Sequence, residues 1–359
     1  KEAKETIDAT GKFVSPGFID FHTHSDLSLV YDKYTRSRIH TGVTTDVIAN
    51  CGIGVAPIRE EKKQELIDYL GTRIIGTIPI KLNLHWNTMQ EYFDYLTENS
   101  PAVNVVAYVA QGPVRINEMG FSKEPATLEQ LKNMKLEVRK AMEAGCVALS
   151  SGLVYLPGAY TKKEEMAELC KELIPYNGYY ISHIRDEGDE EMEALDEAIY
   201  IAKTAGVPLH ISHLKVMGHK NFGTIDKVFK KLDEAEADGL EVTFDCYPYT
   251  AGMTSLGALL PPWAFEGGVE NMVKRLEVQE NRDRIIKELE EGIPGWQCFY
   301  QLAGGWDGVV LASVMTEANK YVEGKTLMEV AKINGENPFD TFFRLLIEEK
   351  SKIQVVVHT

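Results

Sequence analysis

The stretch FIDFHTHSD, residues 18–26, places two histidines one residue apart at the end of an apolar run, directly after Val14-Ser15-Pro16-Gly17. Alternate side chains of a strand share a face, so His22 and His24 point the same way and Thr23 points away. Two adjacent imidazoles fit poorly in an apolar core, because each ring carries a donor and an acceptor that need partners. A metal ion between them removes the conflict, provided the rest of the chain supplies further ligands. The stretch therefore predicts a strand that ends in a metal site.

Working outward, similar short runs recur at 45–51, 103–110, 146–151, 179–184, 209–214 and 241–249. Helical patterns lie between several of them, at 128–144, 162–174, 189–204 and 224–238, and Gly145, Gly206 and Gly239 stand where helices stop. Apolar strands alternating with helices make a parallel sheet covered by helices. Seven such strands predict an α/β fold, a closed (β/α)8 barrel, rather than a doubly wound sheet, which would carry a glycine-rich phosphate turn after the first strand. Residues 16–259 are assigned to barrel strands 1–7. Residues 260–325, with Pro261-Pro262 and the Gly304–Gly308 patch, read as an insertion after strand 7, and 326–359 as a return toward the barrel.

Chemistry in a parallel barrel sits at the C-terminal ends of the strands. Of nine histidines, His22, His24, His183 and His213 fall late in predicted strands, and Cys51 closes the second. Imidazole and thiolate donors suit zinc. Each alone has an ordinary structural explanation; five on four strands converge. His210 has the opposite parity to His213 and is expected to face the helices. His40, His85 and His219 are expected at the surface or in packing. Cys146, Cys170, Cys246 and Cys298 read as buried small side chains, and Trp86, Trp263, Trp296 and Trp306 as packing.

A net charge of −16 disfavours nucleic acid or an anionic membrane as partner. No apolar run reaches membrane-spanning length and no leader pattern opens the chain. Five scattered cysteines do not form a disulfide pattern, which points to a reducing cytoplasm. The start at Lys1 and the strand-like end at 353–359 read as a piece of a longer protein.

The segments VSPGFIDFHTH (14–24), GVTTDVIANCGIGVAP (42–57), ALSSGLVYLPGAY (148–160), SHIRDEG (182–188), GVPLHISHLK (206–215) and FDCYPYTAGMT (244–254) resemble the N-acyl-D-amino-acid deacylase family, the D-aminoacylase branch of the amidohydrolase superfamily. The resemblance implies a metal-dependent hydrolase barrel with a small β-sandwich, of which residues 1–15 would be a remnant. It implies that Cys51, His183 and His213 hold one tightly bound zinc, and that His22 and His24 serve a second, weaker position. Tyr155 and Lys215 match positions that hold the substrate carboxylate, and Tyr247 is a further candidate for that pocket. The implied reaction is zinc-dependent hydrolysis of small-molecule N-acyl-D-amino acids to a carboxylate and a D-amino acid. The family's catalytic aspartate, at the end of strand 8, has no match here; Asp245 and Asp307 are not expected to replace it. Two alternatives stay open: a relative acting on cyclic amides or dipeptides, of the hydantoinase or isoaspartyl-dipeptidase kind, whose bridging ligand is a modified lysine, and a non-catalytic barrel.

Overall fold

The computed structural model describes residues 3–73 and 83–359. The helices carry their own start and stop signals. Met89–Asn99 and Leu128–Glu143 open with capping boxes, Thr88 with Glu91 and Thr127 with Gln130, each satisfying two otherwise unpaired N–H groups. Glu191–Ala205 stops at Gly206, whose φ of 75° is the left-handed conformation that glycine adopts without strain. Removing either threonine cap would cost about 1 kcal/mol.

These helices separate short parallel strands: β1 (Phe18–Asp20), β2 (Val43–Ile48), β3 (Asn104–Ala107), β4 (Val109–Ala110), β5 (Ala148–Gly152), β6 (Tyr179–His183), β7 (Leu209–Ile211) and β8 (Val242–Phe244). β3 and β4 are one run interrupted at Tyr108. The strands pair in chain order, as β1-β2-β3 and as β4-β5-β6-β7-β8. This is the row of seven strands that the sequence predicts. No eighth parallel strand joins β8 to β1 among the described residues, and Phe18, Ile19 and Phe244 on these two edges are exposed.

Side chains alternate as period two demands. Val47, Ala49, Tyr108, Ala110, Ala148 and Ile181 form a small cluster inside the strand row, apart from the larger core under the helices. The strands are shorter than the sequence suggests; β1 stops before His22 and β7 before His213. The helix Gln111–Met119 has no counterpart in the sequence reading, because Gly112-Pro113 argues for a turn. Pro113 is tolerated because it lies in the first helical turn, where its missing N–H has no helical partner to lose.

A second unit follows. β9 (Gly252–Ser255), β10 (Val309–Ser313) and β11 (Gln354–Val357) form an antiparallel sheet in the order β10-β11-β9. It packs with helices Val269–Leu276, Gln279–Glu291 and Pro338–Glu348 around its own core, including Leu256, Leu289, Phe342 and Val355. The unit thus begins near Gly252 rather than at 260. Residues 326–359 belong to it through β11 instead of leading back to the barrel strands. The expected sandwich remnant forms no strand over residues 3–15, where almost every side chain is exposed.

Candidate metal centre

Two turns aim donors inward. After β2 the chain enters the left-handed region at Ala49 (φ 65°) and Cys51 (φ 55°), which turns the Cys51 thiol into the barrel mouth. Gly52 must be glycine, since a Cβ there would lie 2.8 Å from the Gly152 nitrogen. Past the end of β7, His213 takes a φ of 38°. Such non-glycine residues each cost of order 1 kcal/mol or more, and strain of this kind collects at functional sites.

His22 Nε2 lies 3.2 Å from Cys51 Sγ, and His213 Nε2 lies 3.5 Å from the same sulfur. The ring of His183 stands edge-on to His213 with centroids 4.3 Å apart. His183 is buried, and neither of its ring nitrogens has a hydrogen-bond partner. His24 is exposed, its ring 5.6 Å from that of His22. The five expected donors therefore gather in one place.

Carboxylates back them. Asp245 Oδ2 accepts from His22 Nδ1 at 3.1 Å and His210 Nε2 at 2.9 Å, while Oδ1 accepts from the backbone N–H of His213 at 2.7 Å. Burial raises the Asp245 carboxyl, but these hydrogen bonds outweigh it and hold the group well below the usual carboxylate range. Glu187 Oε1 lies 2.8 Å from His213 Nδ1 and forms an ion pair with Lys215, whereas Oε2 is 3.6 Å from His183 Nε2. Burial also pushes the Cys51 thiol up; the charges of His22 and His213, with the hydrogen bond from His213, overcome that and hold it well below the ordinary thiol value. A buried thiolate among imidazoles, one with both nitrogens unsatisfied, is a donor set that fits a zinc-like cation.

The cluster opens into a cavity of about 570 Å³. Tyr155 lies edge-on to His183 at 4.9 Å, and the Lys215 ammonium sits over the Tyr247 ring at 5.4 Å, so the three expected substrate-side residues share this space. Met253, Thr254, Phe299 and Val357 of the second unit form the far wall.

Two expectations need correction. His210 does not face the helices: it aligns with Ile181 of β6, points into the barrel and binds Asp245. Strand parity failed because β7 ends at Ile211, so His213 does not follow the alternation. Cys246 is exposed and lines the cavity, unlike buried Cys146, Cys170 and Cys298. Glu187 was missed. Its one signal was its place four residues after His183, and spacing alone does not say that a loop folds back.

The model of the "Amidohydrolase family" matches residues 5–282. Among curated proteins, the chain is 35% identical to D-aminoacylase of Alcaligenes xylosoxydans xylosoxydans over 71% of its own length and 51% of that protein. It is 31% identical to N-acyl-D-glutamate deacylase of the same organism over 71% of its length and 50% of that protein. The fold is similar to that of a D-aminoacylase crystal structure (TM-score 0.71, 27% identity, 96% of this chain and 60% of that one). It is also similar to N-acyl-D-glutamate deacylase from Bordetella bronchiseptica complexed with zinc and a phosphonate inhibitor (TM-score 0.74, 25% identity, 98% and 62%). The chain spans about half the length of the curated relatives it matches. With the family match running through the strand row and its histidine–cysteine cluster, the chain belongs to the amidohydrolase family.

Proposed function

We propose that this chain carries the metal centre of a zinc-dependent hydrolase that cleaves the amide bond of N-acyl-D-amino acids, adding water to give a carboxylate and a free D-amino acid. The observation that carries the reading is the meeting of Cys51, His22, His183 and His213 at the mouth of a barrel, inside a cavity that also holds Lys215. Cys51, His183 and His213 would hold the tightly bound ion, and His22 and His24 a second, weaker one. Zinc bound there would polarise an amide carbonyl and lower the pKa of water from 15.7 toward about 7.

The chain's own residues orient the substrate. Lys215 is the cation placed for the α-carboxylate, with Tyr155 and Tyr247 beside it. Fixing that carboxylate and the acyl carbonyl lets chirality be read by where the side chain must then point. Asp245 holds His22 and His210, and its oxygens are fully engaged. Asp20 is paired with Arg38 at 2.6 Å. No uncommitted carboxylate therefore faces the cluster among the described cavity residues, and the general base at the end of an eighth strand has no counterpart among them.

All five cysteines are free, which supports a reducing, cytoplasmic setting. No helix among the described residues is long and apolar enough to cross a membrane. Steady-state rates on N-acetyl-D- and N-acetyl-L-amino acids, before and after chelation, test the proposal. It expects turnover of the D series that chelator abolishes. Equal rates on both hands remove the stereochemical claim, and chelator-resistant activity removes the metal.

A further inference from the structure

Glu187 stands beside His183, His213 and Lys215. It is 3% exposed and lies at the wall of the cavity. Its Oε1 meets His213 Nδ1 at 2.8 Å, on the side of the ring opposite the Nε2 that faces the sulfur. Its Oε2 is the carboxylate oxygen 3.6 Å from Nε2 of His183. Lys215 closes on the same Oε1, with its ammonium 3.1 Å from His213 Nδ1 and 3.2 Å from the His213 carbonyl oxygen. The backbone of Glu187 is itself fixed: its N–H donates to Gln297 Oε1 at 2.7 Å, and its carbonyl accepts from Met217 N–H at 2.7 Å. Gln297 is buried and comes from the second unit.

We propose that Glu187 is the positioning residue that sets the His213 imidazole and Lys215 in one arrangement, which rests on the zinc reading above. A carboxylate accepting Nδ1–H of His213 fixes the tautomer whose Nε2 lone pair faces Cys51 and makes that nitrogen a better donor. The same carboxylate supplies the counter-charge that lets an ammonium stand beside a divalent cation. The second unit, through Gln297, thus fixes the residue that aligns the barrel's donors.

The test is zinc affinity of the full chain, measured by chelator competition with zinc alone, for wild type, Glu187→Gln, Glu187→Asp and the double variant E187Q/K215M. Loss of such an outer carboxylate weakens metal binding about 10- to 100-fold. That loss is expected in Glu187→Gln and also in the double variant, which removes both charges together and so leaves no unpaired ion. Glu187→Asp, which restores the charge, recovers part of the affinity, as a merely structural role would not require. Zinc binding within twofold of wild type in either folded Gln variant overturns the proposal. So does failure of both to fold, which would make Glu187 a structural residue. A wild type that binds zinc but hydrolyses no N-acyl-D-amino acid defeats the substrate reading and leaves this one standing; a wild type that binds no zinc defeats both.

Discussion

On one flank of the cavity, Cys51, His183 and His213 are buried and backed by Glu187, by Lys215 and, through the Glu187 backbone, by the Gln297 side chain of the second unit. On the other flank His24 is exposed, and His22 reaches the sulfur with Asp245 behind it. Burial is what separates His24 from the other donors. A donor without water must find a partner within the protein or in a bound cation, and the unsatisfied nitrogens of His183 represent a standing cost of about 1–3 kcal/mol each. An exposed imidazole has solvent to fall back on and gains less from an ion. The same two residue types can therefore build a strong site and a weak one a few ångströms apart.

The largest effect should come from the atom common to both flanks. Cys51→Ala removes the only sulfur in the cluster, and metal analysis should find bound zinc nearly gone, with activity down by about 1000-fold or more, since metal chemistry supplies several kcal/mol. Intact zinc stoichiometry in that variant would dissolve the distinction between the flanks. Asp245→Asn comes next. Asp245 ties His22 of one flank to the His213 backbone of the other, so the amide should weaken zinc binding about 10- to 100-fold. An unchanged affinity would mean that the flanks hold their ions independently.

Much of the first flank was legible before any coordinates. His183 follows Ile181 at the strand period within β6, so alternation aims it into the barrel, whereas Cys51 lies beyond β2 in a left-handed turn that alternation does not describe. His213 is expected at this mouth from strand position, yet it lies beyond β7, and its direction comes from a left-handed backbone that no period predicts. The same slip misplaced His210. Glu187 and the wall of β9 and β11 were illegible, because each depends on a loop or a second unit folding back across the mouth. Long-range closure of that kind leaves no local pattern of hydrophobicity to read.

Burial on the first flank also carries an electrostatic cost. Glu191 is buried with Oε1 unpartnered, and burial, with the nearby charge of Glu187 adding to it, pushes its carboxyl from 4.5 up to about 8. Between those values the unfolded chain has released a proton that the folded protein keeps, so stability falls as pH rises through the window, by up to about 1.4 kcal/mol per pH unit. Urea denaturation at pH 5 and pH 8 should show Glu191→Gln losing at least about 1 kcal/mol less than wild type between the two. Parallel losses would mean that the carboxyls behind this flank are not under the strain that their burial implies.

The smallest effect belongs to His24, and its smallness is the sharpest part of the contrast. His24→Ala leaves Cys51, His183, His213 and Glu187 untouched, so the first equivalent of zinc should titrate as in wild type while a second, weaker equivalent disappears. Less than about 1.4 kcal/mol of transition-state stabilisation is at stake, so kcat/KM should change by less than tenfold. Should His24→Ala instead strip the first zinc or abolish turnover, burial would not be what ranks the two positions. The H-x-H pair would then hold the working ion directly, with the braced flank as its support.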